Sequence, residues 1–279
     1  MVNTLLIMSV DSSISQSHWI NCLRSLTQSE NVPDIFLFID GPVNKEILLA
    51  LNQFYLPTIY VERNSGPNVG LASAMNSLLK ASRNSFKEYD FMFRMDADDL
   101  VGVERFKIQT NYLIEHPEVA VLGTATNIID DQDNLISSRF VMPLPCPHHF
   151  ASQNQMVHPT VAFSLKHFDG FEELYDIRYK KAQDYELWMR LITKGYKLKN
   201  INDPSLFYFR RSHATLSRRF GYENNIQILR AKLDFIKTVK LGPLQSLYVL
   251  IMFLPRLLPA KLVLSLAPIF LMVKTMRER

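Results

Sequence analysis

The sequence predicts an α/β protein: a mostly parallel central sheet flanked by helices, followed by an apolar helical tail. Three observations carry this. Short continuous apolar runs alternate with segments whose apolar residues recur at helical spacing, the pattern of repeated β-loop-α units. Several of those runs stop abruptly at an acid or a turn-forming residue. The stretch from Leu244 to Val273 is strongly apolar, yet no uninterrupted part of it reaches bilayer length.

Leu5–Val10 reads as a first buried strand, followed by the polar loop Asp11-Ser12-Ser13 and a helix carrying Trp19, Ile20, Leu23 and Leu26. Ile35–Ile39 is a second strand, stopped by Asp40-Gly41-Pro42. Thr58–Glu62 makes a third. After it, Asn64-Ser65-Gly66-Pro67-Asn68 turns into a helix whose face is Leu71, Ala74, Met75, Leu78 and Leu79. The fourth strand is Phe91-Met92-Phe93-Arg94-Met95, which ends in Asp96-Ala97-Asp98-Asp99. In parallel sheets ligands gather outside the carboxyl ends of the strands. Asp11, Asp40 and the pair Asp96/Asp98 all fall there, which points to a nucleotide site. The competing reading is local, because Asp and Ser after a strand are also ordinary caps and turn formers.

Three carboxylates this close repel one another. A hard divalent cation with oxygen ligands relieves that repulsion and commonly bridges to substrate phosphates, whereas an acidic loop capping the next helix would need none. Glu104–Glu115 reads as that helix, with Phe106, Ile108, Tyr112 and Leu113 available for packing and Pro117 beyond its end. Ala120–Thr124 is a strand, and Asp133-Asn134 marks a hairpin turn that leaves Asp130, Asp131 and Asp133 solvated. Neither acidic run fits an EF-hand, because Leu100 and Val101, or Leu135 and Ile136, stand where an oxygen ligand and glycine are required.

Pro143–Pro147 is a proline-dense connector carrying Cys146, with His148 and His149 behind it, but no partner stands at zinc-site spacing. His158 lies at the entrance to the run Val161-Ala162-Phe163, where a lone histidine reads first as structural. Asp184–Leu191 is a helix burying Leu187, Trp188 and Leu191, so Asp184 is either its N-cap or a site residue. From Phe207 to Arg219 aromatics interleave with Arg210, Arg211, His213, Arg218 and Arg219, a cluster suited to phosphate or to lipid headgroups.

Over 279 residues, 31 basic side chains face 27 acidic ones. A net charge of +4 with no basic stripe gives no case for nucleic acid. Two cysteines, Cys22 and Cys146, make no disulfide framework and suit a reducing cytosol. The N-terminal apolar run lacks a basic flank and a cleavage site, so it does not read as a signal peptide. In the tail, Pro255, Pro259, Pro268, Arg256 and Lys261 interrupt the apolar run, and Lys237, Lys240, Lys274, Arg277 and Arg279 flank it. That composition predicts helices lying in the anionic inner leaflet, hence a cytoplasmic protein held peripherally at the membrane. The alternative is a helical hairpin packed on the domain or on a second subunit, which leaves homo-oligomers open.

Val10, the Asp40-Gly41-Pro42 turn, Asn68-x-Gly70-Leu71-x-x-Ala74-x-Asn76, Arg94-Met95-Asp96-Ala97-Asp98-Asp99 and Gln183-Asp184-Tyr185-Glu186-Leu187-Trp188-x-Arg190 follow one another in order. Together they resemble bacterial family-2 glycosyltransferases, most closely the branch that assembles capsules, exopolysaccharides and O-antigens. The resemblance covers roughly residues 4 to 220. It implies a GT-A fold over residues 1–220, with a nucleotide-sugar half in 1–99, an acceptor half in 100–220, and a membrane-associating helical region in 221–279. It also implies a role for each motif residue. Val10, Asp11, Asp40, Asn68, Gly70, Asn76, Arg94, Asp96 and Ala97 would bind the nucleotide sugar, a UDP-sugar by expectation, with Asp40 on the base or ribose and Asp96 on the ribose or sugar. Asp98 would hold Mn²⁺ or Mg²⁺ on the diphosphate, with His213 a further metal candidate. Asp184 would be the general base of an inverting transfer to a lipid-linked, polyprenyl-diphosphate saccharide, and His158, Arg210, Arg211 and His213 would contact acceptor or phosphate.

Two departures stand out. Asp11-Ser12-Ser13 replaces the aromatic or proline turn usual after the first strand, and Gln183 replaces the usual acid before Asp184. The glutamine-rich motif of processive synthases is absent, which implies one sugar per acceptor. A sugar nucleotidyltransferase is the second enzyme reading, but no Gly-rich basic loop follows the first strand. A catalytically inactive relative serving as a membrane assembly subunit is the third reading.

Overall fold

In a computed structural model, residues 2–145, 150, 154–211, 222–239 and 242–253 are described. Parallel pairing organises the amino-terminal part. Strands β1 (Thr4–Asp11), β2 (Asp34–Asp40), β3 (Ile59–Asn64) and β4 (Phe91–Arg94) alternate with helices α1 (Gln16–Thr27), α2 (Lys45–Leu51) and α3 (Leu71–Arg83). After β4 come the short strand β5 (Leu100–Val101), helix α4 (Arg105–Glu115), and strands β6 (Val119–Thr124), β7 (Thr126–Ile129) and β8 (Leu135–Arg139). Then follow β9 (Ala162–Ser164), α5 (Gln183–Thr193), β10 (Lys197–Ile201), β11 (Phe207–Arg210), α6 (Tyr222–Val239) and α7 (Pro243–Phe253).

The main sheet runs β10-β6-β9-β4-β1-β2-β3, and a smaller one runs β5-β11-β7-β8. All pairs of the main sheet are parallel except those of β9, which lies antiparallel between β4 and β6. The register sets Asp11 beside Asp40 at the carboxyl ends of β1 and β2.

Alternation along each strand divides the core between two faces. Leu5, Ile7, Phe36, Phe38 and Met92 pack with α3, α5 and α6, whereas Leu6, Met8, Ile35, Leu37 and Phe93 pack with α1, α2 and α4. Ala231 and Phe235 of α6 share the first of these cores with Leu187, Trp188 and Leu191 of α5. The segment after residue 220 therefore begins by completing the α/β unit rather than by leaving it. Asp184 is not the N-cap of α5, because Ala182 holds that position and its carbonyl accepts from the Glu186 N–H.

Asn76 ties α3 to a distant segment. Its Nδ2 donates to Tyr175 O at 2.8 Å, and its Oδ1 accepts from the N–H groups of Leu174 and Tyr175 at 3.1 and 2.9 Å. The amide is buried and all three bonds go to a segment about a hundred positions away, so Asn76 is a structural tie and not a nucleotide contact. Removing it orphans three buried backbone groups. Asn76→Ala should lose about 3 kcal/mol in urea unfolding, whereas a loss below about 1 kcal/mol would show that the tie is dispensable.

Candidate active site

The carboxyl ends of β1, β2 and β4 open into a cleft of about 490 Å³. Val10, Asp11, Asp40, Asn68, Gly70, Asp96, Ala97 and Asp98 line it, with Ser13, Ile14, Ser15 and His18 from the loop after β1. With Arg210, which also lines it, nine of the sequence-predicted residues meet in one place. Another cleft, of about 560 Å³, lies at the opposite end of β4 around Asp90 and Phe91, away from these carboxylates.

Several of the nine also build the cleft. Asp11 Oδ1 accepts from the backbone N–H and hydroxyl of Ser13, so it shapes its own turn, as the local reading required. Asp40 accepts from the N–H groups of Val69 and Gly70 at 2.8 and 2.9 Å and from Asn64 Nδ2 at 3.1 Å. It thereby folds residues 64–70 over the sheet end. Gly41 has φ +84°, a left-handed conformation in which any other side chain is strained, so glycine suits the turn that brings Asn68 over it.

Beneath the acidic triplet lie buried arginines. Arg94 reaches both oxygens of Asp96 with its two terminal nitrogens while its own side chain is sealed from solvent. It therefore orients Asp96 and cannot itself meet a nucleotide. Arg105, on the inward face of α4, donates to Arg94 O at 2.9 Å and to Gln109 Oε1 at 3.0 Å, and its guanidinium lies 4.8 Å from the Phe207 ring centre. Burial, then Arg94, lowers its pKa to about 9. Arg210 borders the cleft, but its guanidinium is consumed by Asp98 O at 2.8 Å, Asp130 O at 2.6 Å and the Asp133 carboxylate. Two expectations change with it. Arg210 is a buried post rather than an acceptor contact, and Asp133 is an ion-pair partner, also receiving Asn21 Nδ2, rather than a solvated turn residue.

Asp99 is buried, takes the Arg210 N–H at 2.7 Å on Oδ1, and leaves Oδ2 without a hydrogen bond. Asp96, Asp98 and Asp99 each offer an oxygen within 4.8 Å of the others. Burial, then Asp96, raises the Asp98 pKa to about 6, and burial, then Asp98, raises that of Asp99 well above the carboxylate range. An all-oxygen set with an orphaned buried oxygen fits a hard divalent cation, which removes the repulsion that otherwise favours protons there.

The remaining expected residues stand apart. His158 is buried, its Nε2 2.9 Å from Tyr175 Oη, and burial followed by Arg94 holds it well below the histidine range. It is part of the core and does not reach an acceptor. Asp184 lies in the first turn of α5, outside the residues lining the cleft, and Asn154 Nδ2 donates to its Oδ2 at 3.1 Å. Arg211 donates its backbone N–H to Ile129 O. His213, Cys146, His148, His149, Arg218 and Arg219 lie outside the described residues. Sequence reasoning missed Arg105 and Gln109, whose Nε2 bridges Leu122 O and Thr160 O, because an arginine beside Glu104 reads as a surface residue.

This is the architecture of a GT-A glycosyltransferase. In fold the chain is similar to the TarS 1–349 structures of S. aureus: TM-score 0.61 and 18% identity for the complex with UDP, and 0.64 and 16% for that with UDP-GlcNAc. These cover 91% of this chain and 71% and 72% of those chains. The chain belongs to Glycosyl transferase family 2, whose description matches residues 20–175, more than half its length. Among curated relatives, the amylovoran biosynthesis glycosyltransferase AmsE of Erwinia amylovora is 29% identical over 86% of this chain and 88% of its own. The UDP-Gal:alpha-D-GlcNAc-diphosphoundecaprenol beta-1,3-galactosyltransferase of Escherichia coli is 23% identical over 77% and 76% respectively. The protein is thus a glycosyltransferase, and the nucleotidyltransferase reading is set aside. The family match ends before Asp184, so that residue gains nothing from it.

His158 carries a pH test. Its folded pKa is depressed, so below about pH 6.5 the unfolded chain binds a proton that the folded chain refuses, and stability falls with pH. Asp98 and Asp99, raised in the fold, act in the opposite sense, which makes the difference between variants the readout. From pH 7.5 to 5 the wild type should lose more stability than His158→Gln in urea unfolding. Parallel curves would mean that His158 is protonated within the fold.

Proposed function

We propose that the protein is an inverting, metal-dependent glycosyltransferase that moves one sugar from a UDP-sugar to a hydroxyl of a polyprenyl-diphosphate-linked saccharide, in the assembly of a surface polysaccharide such as an O-antigen or capsule. The observation that carries this is the convergence of Asp40, Asp96 and Asp98 on one cleft at the strand ends. The TarS complexes with UDP and UDP-GlcNAc, and the UDP-Gal and diphosphoundecaprenol in the name of the E. coli relative, support the donor and acceptor classes. Amylovoran biosynthesis in the name of the Erwinia relative supports the polysaccharide setting.

In this reading the nucleoside lies between the loop after β1 and the loop that Asp40 folds. Asp96, pinned by Arg94, accepts from ribose or sugar hydroxyls. Asp98, with Asp99 behind it, holds Mg²⁺ or Mn²⁺, which when bound neutralises charge on the departing diphosphate. Asp184 takes the proton of the acceptor hydroxyl as its oxygen attacks the anomeric carbon from the face opposite the leaving group. Asp184 stands in the amino-terminal turn of α5, where the Asn154 amide donates to its carboxylate.

The carboxy-terminal region brings the enzyme to its lipid-linked acceptor. Among the described residues no helix is long and apolar enough to cross a membrane. Helix α7 instead exposes Leu244, Leu247 and Ile251, spaced to share one face, which suits a helix lying in the inner leaflet of the cell membrane.

With a panel of nucleotide sugars, Mn²⁺ and a lipid-diphosphate acceptor, Asp98→Ala and Asp184→Asn should each lower kcat by about a hundredfold or more, Asp98→Ala also weakening Mn²⁺ binding in calorimetry. Full turnover by Asp184→Asn removes the proposed base, and no turnover by the wild type with any donor favours an inactive assembly subunit. Deleting the chain after Leu241 should move the protein from the membrane fraction to the supernatant. Retention in the membrane would locate the anchor elsewhere.

A further inference from the structure

Helix α6 grips the segment that leads into Asp184. Gln227 Oε1 accepts from the Lys181 N–H at 2.8 Å, and Asp234 Oδ2 accepts from Tyr179 Oη at 3.2 Å. The third bond is the unusual one. Lys232 is only 5% exposed, and its Nζ donates to Tyr185 Oη at 3.0 Å and lies 5.1 Å from that ring's centre. Tyr185 Oη in turn donates to Phe150 O at 2.7 Å. The Lys232 bond joins α6 to α5 through a hydroxyl that is itself fixed to Phe150 O, so it ties two helices and the residue-150 backbone together at one buried point. Tyr185 directly follows Asp184 in the first turn of α5, so whatever fixes the Tyr185 hydroxyl also fixes the start of the helix that carries the proposed base.

We infer that Lys232 is a positioning residue for transfer: through Tyr185 it holds the first turn of α5, and with it Asp184, at the reach the acceptor hydroxyl requires. This rests on Asp184 being the base. It predicts an effect on turnover without one on donor binding, because neither Lys232 nor Tyr185 lines the cleft where the donor carboxylates meet. A displacement on the order of 1 Å at a reacting group can reduce rate about a hundredfold.

The test uses the full chain with UDP-sugar, Mn²⁺ and lipid-diphosphate acceptor. Lys232→Met should lower kcat about 10- to 100-fold while the donor KM and the UDP Kd by calorimetry stay within about twofold. Tyr185→Phe, which keeps the ring and removes only the hydroxyl, should show the same split. Wild-type kcat in a folded Lys232→Met, or a donor KM that rises with kcat unchanged, overturns the inference. Should Lys232→Met fail to fold by circular dichroism, Tyr185→Phe decides alone, and wild-type kcat there overturns it. Asp184→Asn, run alongside, separates the two claims. If it is inactive while Lys232→Met is normal, only the positioning role fails, whereas full activity in Asp184→Asn removes the base itself.

Discussion

Three carboxylates at the end of one buried strand can be tolerated only if positive charge lies beneath them, and the arrangement of the rest of the site follows from that constraint. Arg94 from β4, Arg105 from α4 and Arg210 from β11 supply it, each buried: Arg94 is held by the Asp96 carboxylate, Arg105 by Arg94 O and Gln109, and Arg210 by Asp98 O, Asp130 O and Asp133. The balance is uneven. Arg94 pairs with the Asp96 carboxylate and Arg210 gives Asp99 its backbone N–H, whereas the Arg210 side chain bonds Asp98 at its main-chain carbonyl and not at its carboxylate. Asp98 is the carboxylate left facing the cleft, where burial and then Asp96 raise its proton affinity and a bound divalent cation would take the proton's place.

The same arginines explain why two sheets meet where they do. β5 is only two residues long, yet its pairing with β11 places Arg210 over Asp99 and carries the guanidinium to the β7–β8 hairpin. That hairpin also contacts α1 through His18 and Asn21. The cleft is lined by residues from positions 9–18, 40, 68–71, 96–98 and 209–210, which no local stretch of chain could assemble alone.

Strands and strand ends were legible in the sequence because a buried parallel strand is a continuous apolar run and its acidic stop is visible as a break. β1 to β4, α1, α3 and the cleft carboxylates were readable on that ground. α2 was not read, since Lys45–Leu51 is too short to establish a helical period, and the antiparallel insertion of β9 has no sign in three residues. Motif membership misled at Asn76 and Arg94. Both sit in family-like patterns near the site, yet their side chains turn inward, Asn76 to a distant backbone and Arg94 to Asp96. His158, only a secondary candidate, is the core residue that a lone histidine first suggests. Nothing in a single sequence distinguishes a polar residue that faces a ligand from one that faces the protein's own backbone; that requires knowing which chain segment returns to it, as 174–175 does to Asn76.

The two halves of the site are consequently held by different means. Asp11, Asp40 and Asp96 stand where backbone register and bonds within two adjacent loops put them, so their spacing follows from the sheet itself. Asp184 has no strand to fix it. Its position depends on one helix start, reached through Asn154 on one flank and through Tyr185 and the buried Lys232 on the other. Asn76, Tyr175 and His158 form the seam between these halves, tying α3 to the segment that precedes α5. A change at the start of α5 can therefore move Asp184 and leave the cleft carboxylates in place, because those stand at strand ends and Asp184 does not. Under the proposed function, donor binding and turnover would then respond to different substitutions.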